Sequence, residues 1–328
     1  MRVESTPAGL FLPDVGLHVD PVLPVEAAAI THAHGDHARA LPGLLYATPE
    51  TAAVLRVRTG AAPATVEAAC GAPVDLRRPG AAPARLTFFP AGHILGSAGV
   101  LVECGGERLF CTGDVKLRPS LTCAPAEIPE CDLLVMESTF GLPVFRFPPV
   151  EALRAAILAH ARAALAEGET PVFLGYALGK GPEIAKILGE GGIPTSLHGA
   201  IAKMTKVYES FGVSFPEAAP YEEGNLDGRA LVVPPACRNQ PIVARRRKVR
   251  VVAVTGWALL DAAYERYGAH GLVPLSDHAD FDGLRRIAEV SRARRVFTVH
   301  GFAEPFSRVL ALAGIDAAPL PAARPEET

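Results

Sequence analysis

Through the first 145 residues, short apolar runs end on a His, an Asp or a Glu and are separated by turns rich in Gly and Pro. Val25 to Ile30, alanine-rich and closing on a β-branched residue, predicts a buried strand that stops at Thr31-His32. Leu17-His18-Val19 runs into Asp20 and then Pro21, and Leu86 to Phe89 runs into Ala91-Gly92-His93. Val100 to Cys104 and Glu107 to Cys111, joined by Gly105-Gly106, predict a hairpin whose second arm ends at Thr112-Gly113-Asp114. Leu133 to Met136 delivers Glu137 in the same way. Strand tips that converge on one edge of a sheet can assemble a site from distant segments.

The period changes after Pro149. Val150 to Glu167 reads as an amphipathic helix stopped by Gly168, and Val172-Phe173-Leu174 opens a strand, loop and helix unit that ends near Leu188. A second such unit spans Ile193 to Phe211, so an alternating α/β lobe is expected between Pro148 and Gly271. Residues 272–328 return to the first pattern. Leu272 to Leu275 precede Ser276-Asp277-His278-Ala279-Asp280, a helix follows from Phe281 to about Ser291, and Arg295 to Val299 ends at His300-Gly301.

Four of these tip residues, His32, His34, Asp36 and His37, fall within six positions of a chain that has ten histidines. Imidazole and carboxylate together suit zinc or manganese better than calcium. His32 and His34 can face one ion while Asp36 and His37 turn to another. His93, Asp114 and His300 are ambiguous singly but join this cluster, which cannot coordinate two ions alone. Gly175-Tyr176-Ala177-Leu178-Gly179-Lys180-Gly181 suggests a Walker loop and fails on spacing: three residues separate its first two glycines, and Gly181 follows the Lys. That loop can still place backbone amides against a phosphate.

Composition alters the picture little. A net charge of −3 over 328 residues requires any acidic partner to be held locally, and 49% hydrophobic residues suffice for a large core. Six cysteines at positions 70, 104, 111, 123, 131 and 237 form no Cys-x-x-Cys pair and are expected to be reduced core thiols. No signal peptide or membrane-spanning run is apparent, which predicts a cytoplasmic protein away from membranes. Basic residues that could extend a nucleic-acid path are Lys116, Arg118, Lys180 and the run Arg245-Arg246-Arg247-Lys248.

As a set, the motifs resemble a known superfamily. Thr31-His32-Ala33-His34-Gly35-Asp36-His37 looks like the His-x-His-x-Asp-His signature of metallo-β-lactamase-fold hydrolases, with His93 and Asp114 in the places of the next two ligand motifs. Glu137, His278 and His300 match the three further motifs of the β-CASP nucleases. Glu137 to Pro143, Tyr176 to Lys180, Thr255-Gly256-Trp257 and Leu275 to Asp280 resemble the bacterial ligase-associated DNA exonucleases, which are similar to the SNM1 and Artemis nucleases. The resemblance implies an α/β fold: a metallo-β-lactamase αββα sandwich in residues 1–147 and 272–328, interrupted by an inserted β-CASP domain at 148–271.

It also implies a chemistry. Two divalent ions, zinc or manganese, would be held by His32, His34 and His93 on one side and Asp36, His37 and His300 on the other, with Asp114 bridging. His278 would be the general acid, with Glu137 as its partner, and Asp20 would orient a ligand imidazole. The implied activity is DNA exonuclease in repair, on single-stranded or end substrates, in functional association with a DNA ligase. One departure matters: the third β-CASP motif is usually valine in eukaryotic DNA-processing members and histidine in RNA-processing ones, and this chain has His300. Ribonuclease activity is therefore the alternative, ahead of a small-molecule hydrolase or an inactive nucleic-acid scaffold.

Overall fold

The computed structural model describes residues 1–321 apart from Leu41, Asn225 and Arg247, and the chain divides into two compact units. One unit comprises Met1–Leu117, Cys123–Pro143 and the segment from His278 on; the other comprises Arg118–Thr122 and Val144–Asp277.

The first unit holds two sheets. In one, β1 (Glu4–Thr6), β2 (Gly9–Leu12), β3 (Leu17–Val19), β4 (Ala27–Ala29), β5 (Leu44–Ala47) and β6 (Ala64–Glu67) lie in sequence order. The first three are antiparallel and the rest parallel. The second is built from β7 (Val74–Leu76), β8 (Ala84–Pro90), β9 (Ala98–Cys104), β10 (Glu107–Cys111) and β11 (Leu133–Glu137), together with two strands from the end of the chain. Between β5 and β6 lies α1 (Pro49–Thr59), a helix absent from the sequence expectation although its signals are present. Thr48 caps it by accepting from the Thr51 amide, Pro49 sits in its first turn, and Gly60 ends it in the left-handed region.

The second unit contains a six-stranded sheet whose paired strands all run parallel. Its strands are β12 (Thr170–Leu174), β13 (Thr195–Leu197), β14 (Ala218–Pro220), β15 (Ala230–Val233), β16 (Val249–Val254) and β17 (Gly271–Val273), in the order β14-β13-β15-β12-β16-β17. Its helices are α2 (Val150–Ala166), α3 (Lys180–Glu190), α4 (Gly199–Ser210), α5 (Pro241–Ala244) and α6 (Ala262–Tyr267). Every residue of β15 is buried, as expected of a parallel strand covered on both faces.

The chain then returns to the first unit through α7 (Phe281–Val290), β18 (Arg295–Val299), α8 (Ala303–Leu312) and β19 (Ala317–Pro319). This completes the second sheet as β7-β8-β9-β10-β11-β18-β19. Period-2 alternation explains the layering. Val100, Val102, Leu109, Cys111 and Val135 point toward the first sheet and join Leu12, Leu17, Val19, Ala27, Ala29 and Tyr46 in one core. Leu101, Phe110, Leu134 and Met136, one position out of phase, point the other way and pack with Phe281, Leu284 and Ile287 of α7 and Phe306 and Leu310 of α8. Two sheets face to face with helices over the outer face of the second make the sandwich that the motifs imply.

The cysteines are all free thiols, but they are not uniformly core residues: Cys111, Cys131 and Cys237 are buried, Cys104 and Cys123 half-buried and Cys70 exposed. Among the described residues no helix is long and apolar enough to cross a membrane.

Candidate metal centre

The site forms where β3, β4, β10, β11 and β18 of the first unit end. Asp20, just past β3, lies in the left-handed region at φ 48° and donates its amide to the Ala29 carbonyl at 3.0 Å, which fixes it beside the tip of β4. Its carboxylate accepts the Thr31 amide at 2.7 Å, the Thr31 hydroxyl at 2.5 Å and His37 Nδ1 at 2.8 Å. The hydroxyl, committed as a donor to Asp20, is left to accept from His32 Nδ1 at 3.0 Å. Both histidines therefore carry a ring proton on Nδ1, and in the neutral form it is Nε2 that offers a lone pair.

Those Nε2 atoms converge on Asp114. Its Oδ2 lies 3.5 Å from His32 Nε2, 3.6 Å from His93 Nε2 and 3.8 Å from His278 Nε2, whereas its Oδ1 lies 3.4 Å from His37 Nε2. The two carboxylate oxygens thus face different imidazole sets. Gly113 makes the approach possible: at φ 55° it occupies the left-handed region, and a Cβ there would stand 2.6 Å from the Thr31 side chain. His34 and His93 bring Nδ1 and Nε2 to 3.0 Å, so these nitrogens also aim at one point. The turn carrying His93 is closed by Ser97 Oγ, which accepts the amides of His93 and Ile94 at 3.1 and 3.0 Å.

These residues fit a divalent cation. His32 Nε2 is fully buried and has no hydrogen-bond partner among the described residues, a costly state for a polar atom unless a ligand occupies it. Burial first, then the neighbouring His37, His93, His34 and His278, push His32 well below the ordinary imidazole range, which keeps it in the neutral form that binds metal. Burial likewise raises Asp114, reinforced by Glu137 and opposed by His278, His37 and His34; a cation would stabilise its anionic form. Burial would lower His37, but Asp114, Asp20 and Asp36 outweigh it and lift the imidazole to about 10, so without a cation Nε2 carries a second proton facing Asp114, and a metal would take that proton's place. Ligand atoms of His32, His34, His93 and Asp114 lie within 4.8 Å of one another, as do those of Asp20, His32 and His37, and those of Asp114, Glu137 and His278.

Glu137, buried at the end of β11, holds His278 by Oε1 and Oε2 at 2.9 and 3.0 Å from Nδ1. Its own oxygens accept the amides of Val115 at 2.7 Å and Thr139 at 3.3 Å. Burial works to raise Glu137, but His278, its hydrogen bond and these two donors keep the carboxyl below its ordinary range. The Ala279 amide donates to the Val115 carbonyl at 2.6 Å, so one short segment orients both members of the pair. The Phe140 ring stands 6.0 Å from the His278 ring, edge to face.

Asp36 and His300 are placed differently. Both are exposed, and neither enters the groups whose ligand atoms lie close together among the described residues. The His300 ring lies 5.7 Å from that of His37, and its backbone is left-handed at φ 58°. Ser138 Oγ fixes that backbone by donating to the carbonyls of Val299 at 2.9 Å and His300 at 2.6 Å. Burial works to raise Asp36, but His37, His34 and His300 help to hold its carboxyl below the usual range. Thr31 and Phe140 carry no ligand chemistry of their own, and the sequence alone does not mark their role. The one signal was position, since Thr31 directly precedes His32 and Phe140 lies three residues past Glu137.

The basic residues expected to line a substrate path divide. The Lys116 side chain is fully buried, and Lys180 is buried with its ammonium 2.8 Å from Asp277. Arg118 donates to the carbonyls of Phe147, at 2.5 Å, and Pro148. Arg246 is half-buried, bonded to the Tyr221 hydroxyl at 2.9 Å. Arg245 and Lys248 are exposed, and Arg247 lies outside the described residues. Three of these side chains are thus committed to protein partners: ion pairing with Asp277 needs Lys180, and two carbonyls and a phenol need the guanidinium forks of Arg118 and Arg246.

A face-to-face sandwich whose strand tips gather histidines around a buried carboxylate is the fold of the metallo-β-lactamase superfamily, and residues 11–166 match the family model of the beta-lactamase superfamily domain. The matched stretch contains His32, His34, Asp36, His37, His93, Asp114 and Glu137, but not His278 or His300. It is 36% identical over 311 residues, 94% of its length, to 30% of a probable DNA ligase of Opitutus terrae. Over 136 residues, 39% of the chain, it is 30% identical to 32% of an RNase J-like protein of Methanocaldococcus jannaschii. The chain spans about a third of the length of these curated relatives. A crystal structure of a protein of unknown function from Enterococcus faecalis V583 superposes with a TM-score of 0.59 at 15% identity, covering 84% of this chain and 75% of that one.

Proposed function

We propose that the chain is a two-metal phosphodiesterase that degrades DNA from an end. The observation that carries this reading is Asp114: one buried carboxylate whose two oxygens face His37 on one side and His32, His93 and His278 on the other. His32, His34 and His93 would hold one divalent ion, zinc or manganese, and His37, Asp36 and His300 a second, with Asp114 shared and Asp20 fixing the His37 tautomer. Such ions would supply Lewis acidity at a phosphate and a nucleophile at neutral pH.

The protein's own residues supply the rest. Glu137 accepts from His278 Nδ1, so Nε2 is the atom that would carry a proton to the leaving oxygen. Because Glu137 also accepts two backbone amides, the imidazole is held at a fixed angle through both protonation states. Phe140 limits the positions open to that ring. Arg245 and Lys248 are the exposed basic residues of the 245–248 run that would meet the nucleic-acid backbone.

DNA is favoured by the near full-length similarity to part of a probable DNA ligase, which also supports a shared pathway with ligation and repair. Ribonuclease is the second reading, favoured by His300 and by the RNase J-like relative. End-labelled single- and double-stranded DNA and RNA, incubated with the protein and added manganese or zinc, separate them. Mononucleotides released from one DNA end support the proposal. Internal cuts confined to RNA overturn it in favour of the second reading.

A further inference from the structure

The turn His34-Gly35-Asp36-His37-Ala38 is a single backbone loop, closed by the Ala38 amide donating to the His34 carbonyl at 3.0 Å. It must present His34 in one direction and Asp36 and His37 in another. What braces it is Arg58, in the last turn of α1. Arg58 Nη2 donates to the Ala38 carbonyl at 2.6 Å, a charge-assisted bond on the very residue that closes the turn. Its Nη1 stands 3.2 Å from where a Cβ on Gly35 would sit, and it is the one atom within 4 Å of that point.

Gly35 is not among the residues in the left-handed region, so its backbone conformation does not itself demand glycine. A side chain at position 35 would meet the guanidinium. The half-buried Arg58 is displaced from its ordinary range by burial, which lowers it, while the charge of Asp36 pulls the other way. Its Nε is buried and has no hydrogen-bond partner among the described residues, so the guanidinium has given up water on one side to reach the loop.

We infer that Arg58 is a positioning residue for the metal loop: it clasps the turn at Ala38 and thereby sets Asp36 and His37 for a second ion, whereas of the three imidazoles assigned to the first only His34 lies in the clasped turn. His32 is held instead by Thr31 and Asp20, and His93 by its own turn, so neither depends on the clasp. This rests on the two-ion reading above, and the test separates the two.

The full chain, stripped by chelator, is titrated calorimetrically with manganese alone as wild type, Arg58→Met, Gly35→Ala and the double variant. Two equivalents are expected in the wild type. Arg58→Met should weaken one of them by about tenfold or more and the other distinctly less, because only His34 of the first ion's imidazoles lies in the clasped turn. Gly35→Ala should weaken the same equivalent, and the double variant should add little, because both act through one contact. Wild-type affinity for both ions in Arg58→Met, or an equal loss at both with a lowered melting temperature of the metal-free protein, overturns the clasp. Arg58→Gln, which keeps a donor and drops the charge, is judged by the same criterion if the methionine variant does not fold. Failure of both to fold makes Arg58 a general structural residue and also overturns it. A single equivalent in the wild type instead sinks the two-ion reading itself.

Discussion

At the scale of single residues, the centre is organised by hydrogen bonds that fix tautomers. Asp20 accepts from Thr31 Oγ1, which frees that oxygen to accept from His32 Nδ1 and turns the His32 Nε2 lone pair toward Asp114. Thr31→Val removes the relay with little change of shape. The expected outcome is metal affinity about tenfold or more weaker in a chelator competition, plus about 1–3 kcal/mol of lost stability from the unpaired His32 nitrogen and the missing donor to Asp20. Unchanged affinity would show that the ring orientation is set by packing alone. His278 is different, since its Nδ1 is held by Glu137 and not by the Asp20 relay. His278→Ala should keep the full metal content, measured by elemental analysis, and lower kcat by about 10² or more. Should metal content fall with it, His278 belongs among the ligands and the acid is elsewhere.

At the scale of elements, the site is a property of where strands stop. Gly113 follows β10 in the left-handed region and lets Asp114 pass within reach of Thr31 and the imidazoles; Gly113→Ala puts a Cβ 2.6 Å from that threonine. A loss of about 1–3 kcal/mol in urea unfolding, with a larger proportional loss of metal affinity than of stability, is expected from strain placed directly behind a candidate ligand. Equal thermodynamic losses would assign Gly113 to folding alone. The apolar runs and their polar ends announced β3, β4, β8, β9, β10, β11 and β18, because a buried strand must be apolar and a ligand must sit where it ends. Helix α1 was not anticipated even though Thr48, Pro49 and Gly60 mark both its ends; Ala52, Val54 and Leu55 bury only a narrow stripe, and the following arginines and threonine blur the period. The clasp by Arg58 was invisible for the same reason, since it joins a helix to a loop 20 residues away through a backbone carbonyl. Lys116 and Lys180 show the converse: charge in a sequence marks a cation but not whether the fold turns it outward, and here burial and Asp277 decide.

At the scale of the whole molecule, a chain with net charge −3 has to attract a polyanion through local charge. The first unit answers at its centre, where ions bound among the histidines would reverse the sign of Asp114 and its neighbours. Away from it, much of the surface basicity is spent within the protein: Arg2 on Asp14, Arg56 on Glu67, Arg78 on Glu26, Arg250 on Glu169, Arg292 on Glu130, Arg294 on Asp132 and Arg308 on Glu304. Arg245 and Lys248, exposed in the second unit, are candidates for direct phosphate contact. Each phosphate neutralised by protein contributes roughly 0.7 to the slope of log K against log salt for single strands and about 0.9 for duplex DNA. If both side chains meet the backbone, Arg245→Gln with Lys248→Gln should lower the magnitude of that slope by about 1.4 on single-stranded DNA, measured by fluorescence anisotropy across a salt series. Metal affinity should be unaltered, because neither residue is among the candidate ligands. A parallel shift of the binding line with an unchanged slope would mean that these charges act through long-range attraction only. No shift at all would leave the bound metals as the principal source of attraction and move the search for the substrate path to the first unit.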